Sequence, residues 1–129
     1  MFLVKSSGFS FLNSCHSVKD PQRFGIAKID ERGKVLGIIE KPSLEEAKSY
    51  RNNDVYRNIA GLLILKHKIF AYIEKTKPGK GNEIWLTDSV ELMRSDGHRI
   101  FGFVFDGTRY DIGTFESLRA ADKMEQLEK

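Results

Sequence analysis

A carboxylate and an ammonium stand side by side in Glu40-Lys41, directly after the apolar run Gly37-Ile38-Ile39 and directly before Pro42. The apolar residues predict a buried strand, and Pro42 ends its pairing because proline has no backbone N–H. Neighbouring strand residues point to opposite faces, but twist and a turn at the strand end can bring both to one crevice. There Glu40 can accept hydrogen bonds from sugar hydroxyls while Lys41 binds a phosphate. Two solvated charges at a surface strand end are the competing interpretation, which the pattern alone favours.

Four further motifs accompany this one along the chain. In sequence order the five are Asp20-Pro21-Gln22-Arg23-Phe24-Gly25-Ile26-Ala27, Ile39-Glu40-Lys41-Pro42, Asn58-Ile59-Ala60-Gly61-Leu62-Leu63-Ile64-Leu65, Gly81-Asn82-Glu83-Ile84-Trp85-Leu86-Thr87-Asp88 and Tyr110-Asp111-Ile112-Gly113-Thr114. Each motif alone is weakly specific, whereas five in this order at compatible spacing are specific. Over roughly residues 14 to 122 the chain resembles the C-terminal half of the sugar-1-phosphate nucleotidylyltransferases. The resemblance is greatest to the UTP–glucose-1-phosphate uridylyltransferases, followed by the glucose-1-phosphate thymidylyltransferases.

The resemblance implies a fold, a reaction and a cofactor. The fold would be α/β, a partial mixed β-sheet with flanking helices that corresponds to the C-terminal part of a nucleotide-diphospho-sugar transferase (Rossmann-like) fold. Family members join a nucleoside triphosphate to a sugar-1-phosphate and release pyrophosphate, a reaction that depends mainly on positioning and charge neutralisation. The implied partners are sugar-1-phosphate and nucleoside triphosphate, the implied product is an NDP-sugar, first of all UDP-glucose, and the implied cofactor is Mg²⁺.

The resemblance also assigns roles to individual residues. It places Lys41 on the phosphate and Glu40 on the sugar hydroxyls, and it lets the backbone at Gly25 approach the sugar closely. A bulge or a tight crossing in a hairpin is the alternative for Gly25. The family segment that lines the hexose adds three substrate-binding positions, which are Asn58, Ala60 and Gly61. Their spacing is closer to that of mannose-1-phosphate guanylyltransferases, so the identity of sugar and base stays open.

Asp111 is the implied metal ligand. It lies just after Arg109-Tyr110, in a predicted short strand that ends at Gly113-Thr114. The resemblance makes it the second magnesium ligand, paired with an aspartate that has no match in this chain. A hard carboxylate oxygen suits magnesium, which keeps several waters and takes one or two carboxylates. The alternative is a charge that favours the dipole of the helix beginning at Thr114.

The family's nucleotide-binding loop has no match either. A Gly-rich loop binds triphosphate through backbone N–H groups that no side chain shields, whereas residues 1 to 9 contain one glycine, Gly8. We expect residues 1–9 to be atypical or loose and residues 10–129 to form the sugar-phosphate-binding half of a nucleotidyltransferase domain. Such a chain is expected to be inactive alone. The alternative is a non-catalytic sugar-phosphate-binding or assembly module, with homo-oligomers formed through an exposed sheet edge.

Composition bounds the other function classes. The 129 residues are 40% hydrophobic and 30% charged, which is typical of one globular domain. The net charge is +3 and the basic residues are spread along the chain, so nothing predicts nucleic-acid binding. No apolar run is long enough to span a bilayer or to serve as a signal peptide, which predicts a cytoplasmic location without a membrane partner. The single cysteine excludes an internal disulfide.

Local patterns predict the elements that position these residues. Strands are expected at 11–18, at 24–30 paired as a hairpin with 34–40, at 55–65 in the centre of the sheet, and at 99–105. Helices are expected after Ser43, which forms a capping box with Glu46, and after Asp88 and Thr114 as further N-caps. A helix at 67–75 is predicted to present Ile69, Phe70 and Ile73 on one face.

Overall fold

A computed structural model of the chain describes residues 10–104 and 112–127. Within these residues the chain forms five strands and four α-helices, joined by short 3₁₀ turns at Pro21–Arg23, Lys48–Tyr50 and Lys80–Asn82. In chain order the elements are β1 (Ser10–Val18), β2 (Gly25–Ile29), β3 (Val35–Glu40), α1 (Leu44–Ala47), β4 (Tyr56–Ile64), α2 (Ile69–Lys75), α3 (Leu86–Ser95), β5 (Ile100–Phe103) and α4 (Phe115–Leu127).

The five strands form one mixed sheet in the order β3-β2-β4-β1-β5. Strands β2 and β3 make the predicted hairpin, β4 runs antiparallel to both β2 and β1, and β5 lies parallel to β1. Strand β4 is therefore central, as its apolar C-terminal half predicts. The expected α/β class, a mixed sheet with flanking helices, is confirmed.

The hydrophobic core lies between one face of the sheet and helices α2 and α3. Its buried members come from both layers and are Ala27, Val35, Ile38, Ile69, Val90, Met93 and Ile100. Alternation along a strand places Ile26 on the opposite face from Ala27, and Ile26 is fully buried although it lies outside this cluster. Burial of each such side chain contributes about 1.5–3 kcal/mol, so the α3 face of the sheet is a firmly fixed support for residues at the strand ends.

The capping predictions for α1 and α4 are confirmed. Ser43 Oγ accepts a 3.3 Å hydrogen bond from the Glu46 backbone N–H, and Glu46 Oε2 accepts a 2.8 Å bond from the Ser43 backbone N–H. At the start of α4 the Ser117 backbone N–H donates to Thr114 Oγ1 at 3.1 Å. Both helices therefore begin where the sequence places their caps.

The predicted cap of α3 is wrong. The helix begins at Leu86 with Trp85 in the N-cap position, and Asp88 lies inside the first turn. The Trp85 carbonyl accepts hydrogen bonds from the backbone N–H groups of Asp88 and Ser89, which starts the helix upstream of the predicted position. The expected α3 cap at Asp88 is thus replaced by backbone bonding alone.

The predicted apolar face of α2 is wrong at Phe70. Ile69 is buried and Ile73 packs against the core as expected, but Phe70 is 67% exposed. Tyr72 packs against the core in its place. The helix has only about two turns, so a small rotation decides which aromatic residue is buried.

Both edges of the sheet are partly covered. On β3, the Ile38 backbone N–H donates to Glu91 Oε2 at 2.9 Å, and Arg94 Nε and Nη2 hold the Glu91 carboxylate at 2.8 and 2.7 Å. On β5, the Gly102 backbone N–H donates at 2.7 Å to the carbonyl of Gly33 in the β2–β3 turn. Covered edges are poorer templates for a further strand, so an open edge is less pronounced than the sequence predicts.

Predictions for residues 1–9 and for the Asp106-Gly107 turn lie outside the described residues. Among the helices that the structure does describe, none has the length and apolar character needed to cross a bilayer.

Candidate sugar-phosphate site

Gly25 begins β2 and Glu40 ends β3, and the two are cross-strand partners at one end of the hairpin. Glu40 lies on the α3 face because its Oε2 accepts a 2.6 Å hydrogen bond from Thr87 Oγ1 in the first turn of α3. A Cβ at position 25 would overlap the Glu40 carboxylate and lie 3.2 Å from Thr87 Cγ2. Glycine at position 25 therefore makes room for the Glu40 carboxylate. The sequence predicts a close approach of the sugar at this position, and in the structure the group that approaches is this carboxylate.

The backbone of Lys41 departs from the strand. Its φ is +42°, in the left-handed region that non-glycine residues rarely adopt, and such conformations cost roughly 1–3 kcal/mol. The following Pro42 also disfavours helical conformations at the residue before it. Two hydrogen bonds hold the conformation, one of 3.0 Å from the Lys41 N–H to the Phe24 carbonyl and one of 2.5 Å from Lys80 Nζ to the Lys41 carbonyl.

The side chain of Lys41 extends over an aromatic ring. Its Nζ lies 4.0 Å from the centroid of the Trp85 ring, a cation–π geometry. The Trp85 indole Nε1–H donates at 3.1 Å to the Lys80 carbonyl. Trp85 and Thr87 both belong to the start of α3, so this helix positions the side chains of both Glu40 and Lys41.

Asn58 lies beside this group but on the other face of the sheet. It pairs with Ile26, the residue after Gly25, and alternation directs it away from the α3 face. It is 3% exposed, and its Oδ1 has no hydrogen-bond partner among the described residues. An unpaired buried acceptor costs roughly 1–3 kcal/mol, so this oxygen is chemically ready for a donor such as a hydroxyl.

Ala60 and Gly61 lie at a bulge in the central strand. The pairing of β4 with β1 shifts register between Asn13 and Cys15, opposite these two residues. Gly61 has φ +82°, which favours glycine, and no atom of the described residues lies within 4 Å of the position a Cβ would take. Bulges redirect side chains and are common near binding sites.

Of the residues predicted from sequence, the structure thus brings three together, Gly25, Glu40 and Lys41. Asn58 lies near the same end of the sheet but on its opposite face, because its cross-strand partner is Ile26, the residue that follows Gly25. Ala60 and Gly61 lie further along β4 at the bulge. A ligand bound at the strand ends could contact residues on both faces of the sheet, whereas a ligand bound over one face could contact only the residues of that face.

Three further charged groups surround the Lys41 backbone and Trp85, namely Lys80, Glu46 and Asp88. Lys80 Nζ lies 3.4 Å from Glu46 Oε2, and the Glu46 pKa is lowered, mainly by the Ser43 backbone hydrogen bond and also by Lys80. Glu46 therefore stays ionised, but its hydrogen bonds go to Ser43 and Lys80. Burial raises the pKa of Asp88 in the same region, since its carboxylate is half-buried.

Comparison with known proteins decides the family. The family model described as "Nucleotidyl transferase" matches residues 5–127. The chain belongs to the nucleotidyl transferase family. The predicted family resemblance is thereby confirmed.

Several members of the family are similar in sequence or structure. A UTP–glucose-1-phosphate uridylyltransferase from Staphylococcus haemolyticus is 41% identical over 97 residues, which cover 70% of this chain and 31% of that protein. A low-salt glycan biosynthesis nucleotidyltransferase from Haloferax volcanii is 29% identical over 122 residues, covering 93% of this chain and 31% of that protein. A UDP-glucose pyrophosphorylase solved in complex with UDP-glucose has a TM-score of 0.73 at 29% identity, covering 93% of this chain and 45% of that one.

These family members define the fold and the extent of the match. The similarity to a solved UDP-glucose pyrophosphorylase confirms the nucleotide-diphospho-sugar transferase fold. The chain spans about a third of the length of the curated relatives it matches.

Sequence reasoning missed three residues that contact Glu40 or Lys41 in the candidate site, namely Thr87, Trp85 and Lys80. Thr87 and Trp85 stand in one of the five motifs, but the contacts to β3 and the loop after it depend on how α3 packs on the sheet. Lys80 lies in a segment with loop composition, and nothing local indicates that its ammonium bonds the Lys41 carbonyl. The missing signal is therefore long-range packing.

The metal part of the family site cannot be built from the described residues. Asp111, the predicted magnesium ligand, lies outside them. Within the described ranges, no group of three or more His, Cys, Asp or Glu side chains is arranged to hold a metal ion.

Proposed function

We propose that the chain supplies the sugar-phosphate side of a nucleotidylyltransferase that makes an NDP-sugar, UDP-glucose in the first place, and pyrophosphate. The observation that supports this most is the arrangement at the end of β3. The Glu40 carboxylate accepts a hydrogen bond from Thr87 and lies against Gly25. The ammonium of the next residue, Lys41, lies over the Trp85 ring. Family membership supplies the reaction class, and one similar structure is complexed with UDP-glucose.

In this proposal Lys41 binds the phosphate and Glu40 binds sugar hydroxyls. An ammonium is a compact point charge that can neutralise a phosphate without fixing its orientation. Of the two Glu40 carboxylate oxygens, Oε2 accepts a hydrogen bond from Thr87, and Oε1 accepts none from the described residues. Oε1 can therefore accept a hydrogen bond from a sugar hydroxyl. The short Thr87 bond fixes the carboxylate, so the sugar meets an acceptor that is already oriented.

The hexose is proposed to be lined further by Asn58, Ala60 and Gly61. The unpaired Oδ1 of Asn58 would gain a donor from a sugar hydroxyl. The bulge at Ala60 and Gly61 leaves space beside the backbone, because nothing occupies the Cβ position of Gly61. Asn58 would meet the sugar from the face opposite Glu40.

The nucleotide and metal parts of the proposal rest on the family alone. Asp111 is proposed as one carboxylate ligand of Mg²⁺, which would supply positive charge to neutralise phosphate oxygens. The sequence holds no match to the Gly-rich triphosphate loop, so a polypeptide of these 129 residues is proposed to bind sugar phosphate without turnover. A nucleotide-binding part supplied in trans would restore synthesis. The setting proposed is the cytoplasm.

Calorimetric titration with glucose 1-phosphate tests the proposed function. Lys41→Met and Glu40→Gln are each expected to weaken binding about tenfold or more, because each removes a charge-assisted hydrogen bond. Lys48→Met and Glu45→Gln are matched controls, since Glu45 of α1 and Lys48, the residue directly after α1, form an exposed ion pair. Equal affinity in all five proteins would contradict the proposal.

An assembly role is the second candidate. Several large apolar side chains are exposed on the described surface, namely Leu62, Ile64, Phe103, Phe115 and Leu118. Exposed apolar side chains of this size suit contacts with another chain or with a second copy. The two candidates differ in one result, because only the first expects NDP-sugar synthesis when a nucleotide-binding half is added.

A further inference from the structure

We infer that Trp85 and Lys80 are positioning residues for Lys41, and that a bound phosphate group draws the Lys41 ammonium away from the Trp85 indole. The inference rests on the proposed phosphate-binding role of Lys41. It begins from a closed ring of three contacts. Trp85 Nε1 donates to the Lys80 carbonyl at 3.1 Å, Lys80 Nζ donates to the Lys41 carbonyl at 2.5 Å, and Lys41 Nζ lies 4.0 Å from the Trp85 ring centroid.

The ring fixes a backbone that would otherwise relax. Lys41 has φ +42° and precedes a buried proline, a combination that a free chain avoids. Its N–H is held by the Phe24 carbonyl, so the Lys80 ammonium on its carbonyl is the second restraint. Without Lys80 the residue is free to return toward an extended conformation, and its ammonium moves away from the α3 face.

The ring also leaves the Lys41 ammonium available. Among the described residues Lys41 has no ion pair, and its charge meets only the face of an indole. A cation–π contact is weaker than a charge-assisted hydrogen bond to a phosphate oxygen. A phosphate monoester at the strand end therefore competes successfully for the ammonium, while the backbone of Lys41 stays in place. Trp85 serves as a resting position that keeps the charge near the site.

Fluorescence reads this exchange directly because Trp85 is the only tryptophan in the chain. Glucose 1-phosphate is expected to change the Trp85 emission saturably, as the cation leaves the indole. Inorganic phosphate is expected to act at higher concentration, and glucose without phosphate to have no effect. Lys41→Met should abolish the response and should itself change the emission of the ligand-free protein.

Variants at position 80 separate positioning from general stability. Lys80→Met is expected to weaken glucose 1-phosphate binding about fivefold, the equivalent of one ordinary hydrogen bond, and to change the ligand-free Trp85 emission. Lys80→Arg keeps a donor and is expected to recover most of both. Lys48→Met, which removes the exposed lysine directly after α1, should leave affinity and emission unchanged. A loss of melting temperature alone would not reproduce this pattern.

Variants of the ring residue give a second measure. Trp85→Phe and Trp85→Leu both remove the Nε1–H that donates to the Lys80 carbonyl, so both should weaken binding, with affinities measured by calorimetry. Wild-type emission and affinity in Lys80→Met would overturn the ring, as would binding that leaves Trp85 emission unchanged. Absence of glucose 1-phosphate binding to the wild type would overturn the proposed function and the exchange together. The ligand-free emission of Lys80→Met would still decide whether the ring exists.

Discussion

At the scale of single residues, the site depends on partners that are far apart in sequence. The strand-ending pattern around Glu40 and Lys41 could be recognised from the chain itself, because an apolar run, two charges and a proline are local signals. The oxygen donor from Thr87 and the aromatic ring of Trp85 come from a helix that packs on the same face. No local rule predicts that packing, so the sequence indicates the binding pair but not what holds it.

Gly25 provides the sharpest test at this scale. Gly25→Ala is expected to lower the free energy of unfolding by about 1–3 kcal/mol, because the new Cβ displaces the Glu40 carboxylate and presses on Thr87. Glucose 1-phosphate affinity should fall with it. Gly113→Ala is the matched control for stability, since its Cβ meets nothing within 4 Å, and it should be neutral or slightly stabilising. Denaturant unfolding measures both, and equal stabilities would contradict the role assigned to Gly25.

Asp88 gives a pH-dependent prediction. Burial raises its folded-state pKa above the ordinary 3.8, so the folded protein holds this proton more tightly than the unfolded chain. Relative to Asp88→Asn, the wild type should therefore gain stability as pH falls through the raised pKa towards 3.8. The difference should stay below about 1 kcal/mol because water screens a half-exposed carboxylate. Parallel unfolding curves of the two proteins across pH 3 to 7 (roughly the titration range of a shifted carboxyl) would refute it.

At the scale of elements, hairpin and strand positions followed from sequence while helix contacts did not. The β2–β3 hairpin, the central β4 and the Ser43 cap carry local signals of turn, period and capping. The sequence places the start of α3 too late because Asp88 has the residue type of a cap, whereas the helix begins at Leu86 with Trp85 in the N-cap position. With α3 misplaced, its contact with the edge of β3 could not be foreseen.

That contact predicts a selective loss of stability. Glu91→Ala leaves the buried Ile38 N–H without its acceptor and should cost about 1–3 kcal/mol. Glu45→Ala removes an acid that also pairs with a cation three residues later, but on an exposed surface, and should cost less than about 0.5 kcal/mol. Thermal unfolding compares the two variants. Similar costs would show that the β3 edge does not depend on Glu91.

At the scale of the whole molecule, several large apolar side chains remain uncovered by the described residues. Phe115 is 82% exposed at the start of α4, and Leu62 and Ile64 on the central strand are more than half exposed. A central strand is normally covered on both faces in an α/β protein. The sequence shows that these residues are apolar, but no local pattern predicts which polypeptide covers them.

The exposed surface predicts concentration-dependent self-association. Sedimentation equilibrium of the pure chain should give an average mass that rises with concentration, because burying apolar side chains between copies is favourable. Leu62→Ser combined with Ile64→Ser should reduce it. Leu44→Ser, at an exposed leucine of α1, is the control and should leave association unchanged. A monomer at all concentrations would contradict this account of the surface.

Amide NMR during a glucose 1-phosphate titration, with and without Mg²⁺, determines whether the end of β3 binds a sugar phosphate. We expect saturable shifts at Gly25, Glu40, Lys41, Asn58 and Gly61, and loss of the shifts in Lys41→Met. The same well-dispersed spectrum with no shifts up to millimolar ligand, on the order of the weakest specific affinities, would contradict this binding.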